Sequence, residues 1–128
     1  MKFFHGTSSA NLKSILKNGF VAPCYFTTSL DDAQYYAATG GEESLHLREE
    51  EYEDRTGVNA REHFEPDFWE MYQHLYPKGS SPIVLVLDIP EHVLASSKKD
   101  SGAQDGIVFN KKISAEFILE TLSVTWPS

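Results

Sequence analysis

Cys24 is the only cysteine in the 128-residue chain. A lone thiol closes no internal disulfide, so the fold must be held by packing, and a reducing compartment is expected. Long apolar runs are also missing, and no stretch approaches the ~20 residues of a membrane-spanning helix. The N-terminus has neither the basic start nor the apolar core of an export signal, so the expected location is cytoplasmic, with no membrane partner. Basic residues are scarce: 11 Lys and Arg stand against 19 Asp and Glu, a net charge of −8. That balance repels phosphate backbones and excludes broad, salt-driven nucleic-acid binding. It leaves room for one small nucleotide, held locally by backbone N–H groups and aromatic faces. Zinc spacing is absent around His46, His63, His74 and His92, so no metal site is expected.

What is present fits one domain over 1–128 with a modest core, since 41% of residues are hydrophobic and 12% aromatic. "KFFHG" reads as a strand with Phe3 and His5 on one face and Phe4 and Gly6 on the other. Ser8 or Ser9 is placed to cap a helix whose Leu12, Ile15 and Leu16 share a face, and Gly19 stops it. "CYFTTS" follows as a strand; Ser29 and Asp32 have the form of a capping box opening "LDDAQYYAA", closed by Gly40-Gly41. Residues 42–77 change character, first strongly acidic and helix-forming, then aromatic-rich, and read as a helical insertion. "SPIVLVLDIP" is a strand buried on both faces, "SSKKDSGAQDG" a loop with Asp105 as a turn residue, and "GIVF" a short strand. "AEFILETLSVTW" is the last strand, with Glu116, Ile118 and Glu120 on one face by alternation. Two early helices and a mostly antiparallel sheet completed late make the fold class α+β.

Three stretches, "FFHGTS", "CYFTTSLDDAQYYA" and "ISAEFILE", carry groups suited to a flat cationic ring attached to a ribose. Aromatic faces can sandwich the ring, each contributing about 0.5–1.5 kcal/mol beyond burial. Glycine lets backbone groups approach a planar amide, a histidine can bond a ribose hydroxyl, and a carboxylate can stabilise an oxocarbenium-like centre at C1′. Each residue also has a plainer reading: His5 as a strand end, Tyr25 and Tyr36 as core aromatics, Glu116 as an edge charge with Glu120 as its rival. Cys24 reads as a small buried hydrophobe, and Glu49-Glu50-Glu51 as a solvated helix face.

The ordered set resembles the ADP-ribosyltransferase fold family, on the His-Tyr-Glu branch shared by diphtheria-type toxins and poly(ADP-ribose) polymerases. "HGT" (His5, Gly6, Thr7) matches the branch's strand-end motif; Tyr25 and Tyr36 match its tyrosine pair eleven residues apart, and Glu116 its late glutamate. The resemblance covers the two ends of the chain and leaves 42–80 unmatched. It implies a split, mostly antiparallel sheet and NAD as substrate, without a metal. It implies a catalytic set of His5, Tyr25 and Glu116, with His5 on a ribose, Gly6 and Thr7 on the nicotinamide amide, and Tyr25 and Tyr36 around nicotinamide. Ser114 stands where arginine-modifying relatives carry Glu or Gln, which argues against arginine as acceptor. "TTS" at 27–29 loosely echoes the other branch, but His in the first strand keeps the His branch. RNA 2′-phosphotransferases share the fold yet need basic residues that are missing near these motifs. The activity implied is a mono-ADP-ribosyltransferase acting on a macromolecule, protein rather than nucleic acid, as a phage or bacterial effector inside a cell. Residues 42–77 are the candidate target-recognition region. An NAD glycohydrolase and a non-catalytic partner-binding module on the same fold are the alternatives.

Overall fold

A computed structural model describes residues 1–100 and 105–126. Strands β1 (Lys2–Ser8), β2 (Cys24–Thr27), β3 (Pro82–Asp88), β4 (Lys98–Lys99), β5 (Gly106–Phe109) and β6 (Ile118–Ser123) form one six-stranded sheet ordered β4-β5-β2-β1-β3-β6. Every registered neighbour is antiparallel. Helices α1 (Leu12–Asn18), α2 (Leu30–Thr39), α3 (Glu42–Thr56), α4 (Ala60–Phe64), α5 (Phe68–Leu75) and α6 (Glu91–Leu94) complete the α+β fold.

Alternation along the strands divides the core in two. Phe3, Phe26, Leu85, Leu87 and Phe109 point to one face, where Leu12 and Ile15 of α1 cover them. Phe4 and Val84 point to the other, against Ala33 and Ala37 of α2 and Trp69 of α5. β3 lies inside the sheet and is buried from Pro82 to Leu87, as an uninterrupted apolar run requires. The insertion holds its own small core of Leu45, Tyr52, Ala60 and Met71, so it docks beside the sheet as a packed unit.

The caps follow the sequence closely. Ser29 Oγ accepts from the Asp32 N–H at 3.2 Å to open α2, and Ser8 Oγ accepts from the Ala10 N–H at 3.2 Å to open a 3₁₀ turn ahead of α1. Leu16 departs from the expected face: it is 56% exposed, while Leu12 and Ile15 pack on the core. Lys98 and Lys99 also depart, pairing as β4 with Ile107 and Val108 where a loop was expected. The neighbouring residues 101–104 of that loop lie outside the described residues.

The last strand differs most. Ala115–Phe117 is a 3₁₀ turn, so Glu116 sits before β6 and not within it, and Ser114 Oγ caps the turn by accepting from the Glu116 N–H at 3.2 Å. A register shift between Val86 and Leu87 pairs them with Glu120 and Ile118, leaving Leu119 as the extra residue, 60% exposed. Ile118 therefore packs on the α1 face and Leu122 on the α2 face. Simple alternation fails across such a bulge, and Glu116, Ile118 and Glu120 do not share one strand face.

Candidate functional site

The site begins where the sheet opens. β1 is in register with β3 from Lys2↔Asp88 to Ser8↔Pro82. Against β2, among the described residues, it is in register only at Phe4↔Thr27. Beyond that pair the two strands part, so backbone groups that β1 turns away from β3 over His5–Thr7 face a gap instead of a ladder. β2 stays fully matched to β5 on its other side. β1 and β2 are thus neighbours in one sheet joined by a short ladder, and a cleft lies beside His5, Gly6 and Thr7 of β1.

His5 fills the start of this gap. Its ring packs 5.0 Å from Phe20 and 5.4 Å from Phe26, centroid to centroid. Nδ1 lies 2.7 Å from the Tyr25 carbonyl oxygen. A carbonyl can only accept, so Nδ1 carries the proton and Nε2 keeps its lone pair in the neutral ring. Burial lowers the His5 pKa, and the hydrogen bond to Tyr25 offsets part of that effect. A neutral imidazole with a free acceptor nitrogen suits a ribose hydroxyl.

Gly6 has a second reason to be glycine. A Cβ there would be driven into the Ala33 carbonyl oxygen and would lie 2.8 Å from the Ala37 nitrogen. Those are backbone atoms of α2, so the bare Cα is what lets α2 cross β1 this closely. The close crossing in turn brings Tyr36, on α2, over the cleft. Tyr25 reaches it from β2, where Cys24 and Phe26 face the core and Tyr25 therefore faces away. Both tyrosines are open, 49% exposed for Tyr25 and 52% for Tyr36, which disposes of the reading that they are core aromatics. The Thr7 hydroxyl accepts from Asn11 Nδ2 at 3.1 Å and stands on the same wall.

His5, Gly6, Thr7, Tyr25 and Tyr36 together line one cleft of about 540 Å³, with Asn11 and Ser14 from the α1 side and Arg48 and Tyr76 from the insertion. A second hollow of about 680 Å³ shares His5, Gly6, Tyr25 and Tyr36 and adds Asp32 and Asp100. The two tyrosines therefore stand on a ridge between an acidic hollow and one without carboxylates.

Glu116 is apart from this group. It is exposed and lines a separate hollow with Lys17, Lys112 and Ser114. Gly19 lies on both that hollow and the His5 cleft, and the backbone bonds between Phe20 and Ile113, 2.8 and 3.1 Å, hold the dividing wall. Glu120 is also exposed, on the bulged strand. Cys24 is buried as expected, and burial pushes its thiol pKa up.

Arg48 and Tyr76 escaped the sequence reading, although α3 carried a signal. Leu45, Arg48 and Tyr52 follow the i, i+3, i+7 spacing, and Leu45 and Tyr52 are buried. An arginine on the apolar stripe of an otherwise acidic helix is out of place unless it reaches something. Among the described residues, no group of three or more His, Cys, Asp or Glu is placed to hold a metal ion, and no helix is long and apolar enough to cross a membrane. No protein-family model matches the chain, and no curated protein matches it either.

Proposed function

We propose that the chain is a mono-ADP-ribosyltransferase of the His-Tyr-Glu kind, binding NAD⁺ in the His5 cleft and transferring ADP-ribose to a protein acceptor. The observation that carries the reading is the convergence of His5, Gly6, Thr7, Tyr25 and Tyr36, from three elements, on one cleft with both tyrosine rings open. In this reading the nicotinamide ring stacks with Tyr25 and Tyr36, its amide meets the open backbone of β1, and His5 Nε2 accepts from a ribose hydroxyl. The bond between the nicotinamide nitrogen and C1′ breaks with its electron pair going to the ring, which leaves as neutral nicotinamide. The acceptor's lone pair forms the new bond at C1′, and its proton passes to solvent.

The resemblance assigns Glu116 to the developing positive charge, although its side chain lines the hollow on the other side of the Gly19 wall. Its place in a separate hollow favours a second reading, different from the partner-binding module: a protein that binds NAD⁺ in the cleft without breaking it. Glu116→Gln separates the two. The side chain is exposed and its backbone N–H makes the local cap, so the variant should fold and bind NAD⁺ normally. Transfer predicts nicotinamide release falling about 10²–10³-fold, the scale for losing one stabiliser of transition-state charge. Release at the wild-type rate would remove Glu116 from the mechanism, and NAD⁺ binding without release in either protein would favour the second reading.

A further inference from the structure

Among the described residues, Arg48 is the only formally charged side chain lining the His5 cleft, and no carboxylate lines it, in a protein with 19 Asp and Glu. Its guanidinium lies 5.1 Å above the Tyr76 ring and donates one bond, from Nη1 to the Ala38 carbonyl at 3.3 Å. Among the described residues it has no carboxylate partner within ion-pair range, although Arg55 and Arg61, also in the insertion, both do. A guanidinium offers five N–H donors in a planar fork, so this one retains most of its capacity.

The turn that ends α2 makes room for it. Gly40 has φ +74, and a Cβ there would lie 3.0 Å from Arg48 Nη2; at Gly41 a Cβ would lie 3.3 Å from the Tyr36 ring. The glycine pair thus lets Arg48 and Tyr36 pack on one turn, and side chains at 40 and 41 would push both away. The stack on Tyr76 holds the stem from the other side. Neutral donors, Asn11, Ser14 and Thr7, line the same cleft.

We propose that Arg48, delivered by the helical insertion, is the anion anchor of the His5 cleft and binds the diphosphate of a nucleoside diphosphate ligand. The proposal rests on the NAD reading of the same cleft, and it gives the insertion a place in substrate binding that target recognition alone does not require. The planar fork matches phosphate oxygens, and a cleft of about 540 Å³ is of nucleotide scale. The carboxylates of Asp32 and Asp100 lie in the other hollow, so the field across the tyrosine ridge draws an anionic ligand segment to the Arg48 side. The purely structural role, a clamp on the Ala38 carbonyl, predicts the same packing and no preference among ligands.

Calorimetry with NAD⁺, ADP and nicotinamide riboside on the wild type, Arg48→Gln and Arg48→Lys decides between them. Arg48→Gln should weaken NAD⁺ and ADP about 10- to 100-fold and leave the phosphate-free riboside within twofold; Arg48→Lys should restore part of the loss. If Arg48→Gln does not fold, Arg48→Lys and the salt dependence of ADP binding to the wild type carry the test, because an anchored diphosphate must weaken with salt. Equal losses for all three ligands, or none, overturn the anchor. ADP binding that depends on Arg48 in a protein that ignores NAD⁺ keeps the anchor and overturns the NAD reading. NAD⁺ binding untouched by either variant does the reverse. A wild type that binds neither ADP nor NAD⁺ overturns both.

Discussion

Gly6→Ala isolates the contact on which the cleft depends. Gly6 has an ordinary negative φ, so alanine is acceptable to the backbone and the whole cost is steric. The added Cβ meets the Ala33 carbonyl oxygen and the Ala37 nitrogen, atoms that no side-chain rotation can move. Relief requires α2 to shift as a unit, away from a position in which Ala33, Ala37, Ala38 and Thr39 are buried. Overpacking costs about 1–3 kcal/mol where neighbours can adjust, and a rigid helix backbone belongs at the upper end, about 3 kcal/mol. Alanine recovers about 0.5–1 kcal/mol through its smaller backbone entropy loss, leaving about 2 kcal/mol. For a chain of this length 1 kcal/mol moves the melting point by about 4 °C, so Tm should fall about 8 °C while the protein stays folded at 25 °C. Thermal unfolding followed by circular dichroism reads this directly. A Gly6→Ala protein melting within 2 °C of wild type would refute the claim that α2 rests on the bare Cα of Gly6.

Two further predictions concern the site. Because the folded-state pKa of His5 lies below its unfolded value near 6.5, the unfolded chain binds more protons as pH falls. Its neutral ring therefore contributes stability that is complete above about pH 6.5 and is lost progressively as pH drops towards the folded pKa. Urea denaturation from pH 8 to 5 should show that loss, and His5→Gln should remove this component of the slope; identical pH profiles would refute it. Tyr36→Ala should leave Tm within about 3 °C, since the ring is half exposed, yet weaken NAD⁺ binding about 5- to 10-fold by losing one stacked face. Unchanged affinity by calorimetry would take Tyr36 out of the site.

Much of this arrangement was legible in the residues themselves because it is local. Ser29 and Asp32 announce the start of α2, Gly40-Gly41 its end, and the apolar run 82–87 can only be an inner strand. Opposite facing of Phe3 with His5 and Phe4 with Gly6 follows from strand period alone. What was not legible depends on register between distant segments. Nothing in "KFFHGTS" or "CYFT" says that they pair at Phe4↔Thr27 and then part, yet that parting creates the cleft. Leu119 looks like any strand residue until its pairing with β3 shows a bulge that reverses the facing of what precedes it. Glu116 was drawn into the strand by the apolar residues after it, whereas Ser114 capping made a turn there. The acidic look of 42–56 likewise hid Arg48, whose meaning comes from the buried stripe it shares.

On the proposed function, the insertion has two jobs. It has its own core of Leu45, Tyr52, Ala60 and Met71, and Trp69 ties it to the sheet's core beside α2. Its exposed acidic face, which includes Glu50, Glu51 and Glu53, stays available to an acceptor while Arg48 and Tyr76 turn inward to the cleft. Acceptor choice and ligand affinity would then be separable by mutation on the two sides of one helix.

The central claim is that this cleft takes NAD⁺ apart and passes ADP-ribose on. Incubating the protein with NAD⁺ labelled in its adenylate phosphate and a cell lysate, then assaying released nicotinamide and label on macromolecules, tests it most directly. The account predicts stoichiometric nicotinamide and label on protein that survives nuclease and is lost in Glu116→Gln. Intact NAD⁺ after prolonged incubation, with no label on any macromolecule, would contradict it.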